Sequence, residues 1–356
     1  MSALLVLVVI AIFQGAFLVL LVIFLGVRRQ VDRLHRIAFA RGRKGLSEPL
    51  SAWLSGSGTV EPLVAALRAL PGGTALGFTG NLARTSIPPA ERAELAVALR
   101  GEPWVRHALA GASSRRWGRR LEAARCLALA GTPADRALLE SLLNDERPAV
   151  AIAAVSALPR VADARLVGHA LDRLVALPSV VRLYLQGTLR EMQTLVEPAL
   201  AERLSRDAPP RALARWTELA GTLEPSASLD RVATLADHQD AHVREAVARA
   251  LRRAPRQRSV DILQRLLRDP HAAVRTAAAR SLGELASIGA IPALVAAAHD
   301  ASWSVRYRAT LALTQLGEPG RAAVRLLRTD EDRYVADIAT LVIGLSDGAL
   351  LDMVEA

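Results

Sequence analysis

From residue 115 onward, apolar residues recur at helical spacing, and the helices themselves recur at a fixed interval. Val150, Val181, Ala212, Val243, Val274 and Val305 stand 31 residues apart, and Val335 follows after 30. Four residues on from these anchors lie Ala154, Leu185, Trp216, Val247, Ala278, Ala309 and Ala339; eight on lie Leu158, Leu189, Ala220, Leu251, Leu282, Leu313 and Ile343. The residues seven on are mostly small, such as Ala157, Ala250, Ser281 and Ala312. Offsets of 0, 4, 7 and 8 trace one buried stripe of an amphipathic helix, and small side chains there let neighbouring helices approach closely. A shorter apolar-periodic segment precedes each turn, as in Val260–Leu267, Ile291–Ala298 and Ala322–Leu327. The spacing therefore predicts short helix, turn, longer helix, repeated. Nothing alternates with period two, so no sheet is expected.

The turns carry their own signal. Asp145, Asp207, Asp269, Asp300 and Asp330 stand five residues before their anchors, with Ala176 and His238 in that column elsewhere. An Asp there is expected as the N-cap of the longer helix, with Pro270 in the favoured first helical position. Residues 115–144 read as one further, divergent unit through Leu121, Ala124, Leu127 and Leu129, which places the repeat array at 115–356. Residues 45–114 leave this register. Pro71-Gly72-Gly73 and Pro88-Pro89 are breakers, Ala90–Arg100 and Pro103–Ala110 read as helices, and Gly56-Ser57-Gly58 reads as a linker bend. This region is expected to be a linker and a helical cap over the first apolar face of the array.

The N-terminus has a different pattern. Ala3 to Val27 has no ionisable side chain and one strongly polar residue, Gln14. As a helix of 25 residues it spans roughly 37 Å, against a hydrocarbon core of about 30 Å, so residues 1–27 are predicted to form a transmembrane helix. A cleaved signal peptide fits less well, because no basic side chain precedes the run and the small-x-small triplet Ala38-Phe39-Ala40 lies far beyond it. Ala11 and Gly15 form a small-x-x-x-small pair that would let another membrane helix approach.

Charge supports this division. The chain of 356 residues carries +10, but residues 121–356 balance at 29 Arg against 29 acids. The juxtamembrane segment 28–44 holds Arg28, Arg29, Arg33, Arg36, Arg41, Arg43 and Lys44 against Asp32 alone. Basic flanks stay on the cytoplasmic side, so the expectation is a single-pass protein with its N-terminus outside and the array in the cytoplasm. The same seven cations can lie on anionic headgroups, with Leu34, Ile37 and Ala38 toward the acyl boundary. The neutral array argues against nucleic acid as a partner, because phosphate neutralisation needs a basic surface.

The motif Asp-(Pro)-x-x-x-Val-Arg-x-x-Ala-x-x-Ala-Leu-Gly is clearest in Asp269–Gly283 and Asp300–Thr314. It resembles the HEAT-repeat family, in particular the short bacterial HEAT-like repeats also found in phycobilin lyases. The resemblance implies an all-α solenoid of helical hairpins. It also implies a hydrogen-bonded ladder of motif Asp and Arg between successive repeats. The matching positions are Asp269 with Arg275 and Asp300 with Arg306. Arg244 and Arg182 lack the Asp of their own unit, while Asp145, Asp207 and Asp330 are followed by Ala151, Leu213 and Ala336 in the Arg column, so the ladder is expected to be incomplete.

Catalytic chemistry leaves little trace. There is no phosphate-binding GxxxxGK[ST], no dinucleotide fingerprint, no GxSxG and no SxxK. His238 and His242 are read as exposed turn histidines, Asp330-Glu331-Asp332 as a solvated turn, and Cys126 as a buried inert thiol. No catalytic residue, metal or cofactor is assigned. Trp216 and Tyr184 are expected in the core, whereas Trp303, Tyr307 and Tyr334 form a candidate aromatic partner patch. The expectation is a membrane-anchored, non-enzymatic scaffold that binds a protein partner, with a membrane envelope-biosynthesis complex as one candidate client. The alternatives are an enzyme of the chromophore-lyase type and a nucleic-acid-binding solenoid.

Overall fold

The computed structural model describes residues 45–82, 87–223, 227–253 and 257–344. The apolar segment 1–27 and the basic segment 28–44, with Arg28, Arg29, Arg33, Arg36, Arg41, Arg43 and Lys44, lie outside the described residues. Among the described residues there is no strand, and no helix is long and apolar enough to cross a membrane. The chain divides into two compact units, 1–161 and 162–356.

In the first unit, α1 covers 45–54. It is followed by α2 (Glu61–Arg68), α3 (Gly72–Leu82), α4 (Pro89–Arg100) and α5 (Pro103–Ala110). Next come α6 (Trp117–Ala130), α7 (Arg136–Leu143), α8 (Pro148–Val155) and α9 (Leu158–Val161). Pro71 lies between α2 and α3, and α4 and α5 each begin on a proline, but Gly72 and Gly73, read as breakers, open α3. Gly56 adopts a left-handed φ of 71° in the bend after α1, a conformation glycine takes without a steric penalty. The middle of this unit is α6, which packs against α3, α4, α5 and α8. Its buried side chains are Ala123, Ala124, Cys126, Leu127, Ala128, Leu129 and Ala130, small enough to admit neighbours on several sides. Burial and the nearby Glu122 push the Cys126 thiol up to about 12, which makes it a poor nucleophile. Arg100 holds Asp135 through two hydrogen bonds of 2.7 Å, tying the end of α4 to the turn before α7.

The second unit begins with α10 (Ala164–Arg173), α11 (Ser179–Glu191), α12 (Gln193–Arg203) and α13 (Pro210–Ala220). It continues with α14 (Ala227–Ala233), α15 (Ala241–Leu251), α16 (Gln257–Leu266) and α17 (Ala272–Glu284). It ends with α18 (Ile291–Ala297), α19 (Trp303–Thr314), α20 (Gly317–Leu327) and α21 (Arg333–Ile343). The longer helices α13, α15, α17, α19 and α21 stack in order, with the shorter helices of each hairpin as a second layer. The anchors Val181, Val243, Val274, Val305 and Val335 are all buried, as are Leu185, Val247, Ala278, Ala309 and Ala339 four residues on. The small column has a visible purpose. A Cβ on Gly221 would come within 2.5 Å of Ala250 Cα, so α13 and α15 meet almost backbone to backbone. The buried hydroxyl of Ser281 donates to the Ala248 carbonyl of the preceding helix at 2.7 Å.

Two expectations about the turns are corrected. The column Asp is not the N-cap. Asp145, Asp269, Asp300 and Asp330 each stand two residues before it and accept the backbone N–H two residues on, closing an Asx turn. Helix α17 accordingly begins at Ala272, not at Pro270. The capping carboxylates are instead Asp163, Asp240 and Asp332. The ladder runs between successive repeats as expected, but its rungs do not pair the Asp and Arg of one motif. Each rung joins the Arg of one repeat to the Asp of the next, as Arg244–Asp269 and Arg275–Asp300. A third rung, Arg120–Asp145, uses the same geometry in the first unit. The Asx turn leaves the outer edge of each carboxylate aimed across the hairpin, and only the neighbouring repeat has a guanidinium there.

Candidate interaction site

At the C-terminal end of the second unit α19 places Trp303 and Tyr307 four residues apart, one turn of helix. Their rings stack with centroids 5.1 Å apart and planes within 4°. Tyr307 is half-buried against Leu311, Ile338 and Val342, while Trp303 remains 58% exposed. Tyr334, at the start of α21, is 68% exposed. It joins through a cation and not through ring stacking, with the Arg306 guanidinium 5.5 Å from its ring centroid. The structure thus brings the three aromatic residues to one end, with Arg306 among them. Arg306 follows the Val column directly and could have been expected from the motif; its turn toward Tyr334 could not.

A second exposed patch was not expected. Tyr184 is 56% exposed, a correction to its expected place in the core, and Val180 and Leu183 beside it are also exposed. The reason is tertiary. Helix α11 packs chiefly on α12 and has little contact with α13, so residues beside its buried stripe face outward. Trp216 is buried as expected, and its Nε1 donates to the Leu171 carbonyl at 2.9 Å. Beyond α11 opens a groove of about 510 Å³ lined by Val175, Pro210, Arg211, Arg215, His242 and Arg249, among others. Arg215 and Arg249 reach Glu218 and Glu245 at 2.8 and 2.9 Å, so much of the groove's charge is compensated from within.

The titratable groups behave as structural parts. Burial raises the carboxyl pKa of Asp269 and Asp300, but the Arg244 and Arg275 hydrogen bonds, the His271 and Ser302 backbone N–H groups and the nearby positive charges together outweigh it, so both lie below the usual carboxylate value. His238 is buried, against the expectation of an exposed turn histidine, and its Nδ1 accepts the Asp240 backbone N–H. His242 is exposed as read. Among the described residues no group of three or more His, Cys, Asp or Glu is placed to hold a metal ion.

The family described as HEAT repeats matches residues 197–282 and 259–344. The match falls where the hairpins are most regular, on a fold that is all-α and solenoid-like among the described residues. Two solved structures share that fold. One is a Kap95:Nup1 complex, with 13% identity over 90% of this chain and 53% of the other, at a TM-score of 0.50. The other is a Kap95p structure with RanGDP, with 14% identity, the same coverage and a TM-score of 0.51. This chain spans about half the length of both, and at such identity the likeness extends to the fold alone. No curated protein matches the chain in sequence.

Proposed function

We propose that this chain is a scaffold. In this reading its HEAT-type hairpins hold a protein partner, residues 1–27 anchor it in a membrane, and the array lies on the cytoplasmic side. The observation that carries the reading is the patch of Trp303, Tyr307 and Tyr334 around Arg306, with Trp303 and Tyr334 left exposed on the stack and Tyr307 half-buried between them and the core. Stacked repeats offer extended surfaces for partners. The charge-free run of Ala3–Val27 and the basic residues after it support the anchor and its orientation. The chain is assigned no chemistry of its own, and the finer likeness to chromophore lyases is not carried further.

The test uses the full-length chain in cells. A photo-crosslinking residue at position 303 is expected to capture a specific partner. The same residue at Val97, exposed in the first unit, serves as the control. Trp303→Ala combined with Tyr334→Ala should abolish capture while leaving helical content unchanged. Equal capture from both positions, or capture that survives the double substitution, removes the basis of the scaffold reading. Material that fractionates as soluble, or that begins after position 40, removes the anchor.

A further inference from the structure

The three Arg–Asp rungs share one geometry. In each, the arginine Nη1 donates to two carbonyls of its own turn, six and five residues back, while Nε and Nη2 hold the Asp of the next repeat. For Arg275 the carbonyls are Asp269 and Pro270, at 2.7 and 3.1 Å, and the carboxylate is Asp300, at 2.7 Å to each oxygen. Arg244 repeats this with His238, Gln239 and Asp269, and Arg120 with Ser114, Arg115 and Asp145.

At the last repeat both halves of a further rung are built but not joined. Arg306 Nη1 donates to the Asp300 and Ala301 carbonyls at 2.9 and 3.1 Å, the usual pose. Asp330 closes its Asx turn by accepting the Asp332 N–H at 3.0 Å. Yet Arg306 Nε is buried without a partner, and its guanidinium rests over Tyr334. The Asp330 carboxylate lies instead 2.9 Å from His299 Nε2. His299 Nδ1 lies 3.1 Å from the Val295 carbonyl oxygen. A carbonyl and a carboxylate can only accept, so both contacts are hydrogen bonds only when the ring is an imidazolium. A neutral ring has one proton for these two acceptors, and one of the contacts turns repulsive.

We propose that His299 and Arg306 compete for Asp330, and that protonation of His299 decides which of them holds it. With His299 charged, Asp330 belongs to the histidine and Arg306 lies on Tyr334. With His299 neutral, Asp330 passes to the bidentate fork of Arg306, completing the ladder and freeing Tyr334. Arg306 is a cation in both states and His299 in only one, so protonation biases which of them holds Asp330. The charged groups facing the ring are Asp330 and Asp332 of the following turn, and the Val295 carbonyl faces it from its own hairpin. The Val295 carbonyl, partly offset by burial, and then Asp330 and Asp332 raise the His299 pKa above its ordinary 6.5, so the exchange falls above that value. It would regulate the aromatic patch on which the proposed function rests, but its readout needs no partner.

The chain has three tyrosines, so ring-¹³C-tyrosine in the full-length protein gives a resolvable set, with Tyr334 assigned by Tyr334→Phe. Between about pH 5 and 8.5 the phenols themselves do not titrate. The Tyr334 signal should move with one midpoint above 6.5, the His299 reference value, while Tyr184 stays fixed. His299→Ala should hold Tyr334 at its high-pH position throughout. His299→Arg, a permanent cation, should hold it at the low-pH position. Asp330→Asn should abolish the movement. A Tyr334 signal that ignores pH, or one that moves equally in His299→Ala, overturns the exchange. Such a result would leave partner capture at position 303 unaffected, so the two readings fail separately.

Discussion

Asp269→Ala tests what holds the stack together. The Asp269 side chain is 4% exposed and its partner Arg244 is 11% exposed. It accepts from Arg244 Nε at 2.6 Å and Nη2 at 3.0 Å, and from the His271 backbone N–H at 2.9 Å. Truncation removes two charge-assisted bonds and leaves a buried guanidinium without its carboxylate, a loss of about 3–5 kcal/mol. The exposed Arg265–Asp237 pair, 3.3 Å apart, gives the internal comparison. Breaking it with Arg265→Ala should cost about 0–1 kcal/mol, because water screens both partners. Stability is largely nearest-neighbour in repeat proteins, so the loss should be local. Hydrogen exchange should accelerate in α15 and α17 and much less in α6, with urea unfolding moving in the same direction. Pairing Asp269→Leu with Arg244→Met should recover most of the stability, since no buried charge then remains. If Asp269→Ala costs no more than Arg265→Ala, the rungs do not hold the hairpins together.

Three further outcomes follow from packing and titration. Asp269 and Asp300 have folded pKa values below their ordinary 3.8, so the stability they supply is present above that value and drains away as pH falls through the lower one. Exchange protection of α15 to α19 should therefore hold at pH 5 and be lost below about 3.8, the unshifted value, in a pH series of hydrogen exchange. Gly221→Ala should destabilise by about 1–3 kcal/mol because its Cβ meets backbone, whereas Gly118→Ala, with nothing near its Cβ, should be neutral or stabilising by up to about 1 kcal/mol in thermal melts. The Cys126 thiol, buried and pushed up to about 12, should react with a disulfide reagent only as fast as the first unit opens, so its rate should rise with urea in parallel with unfolding.

The sequence by itself determined the hairpins. A stripe at 0, 4, 7 and 8 is the pattern of a helix, and a period of 31 offers it a copy of itself to pack on, so the anchors Ala212 to Val335 gave both element and neighbour. Pro71, Pro88 and Pro103 marked helix boundaries through their missing N–H alone. Trp216 was legible because its column is buried in every repeat. Which partner each polar group takes was decided only in three dimensions. Asp269 stands in one repeat and is claimed by the arginine of the one before, 25 residues back, because the Asx turn aims its carboxylate there. Tyr184 turned outward since α11 has little contact with α13, a property of the stack and not of the helix. At the last repeat the motif residues Arg306 and Asp330 remain apart, and His299, outside the motif, lies against Asp330 instead. Periodicity specifies what must be covered; hydrogen-bond partners are chosen by distances that exist only after the helices have stacked.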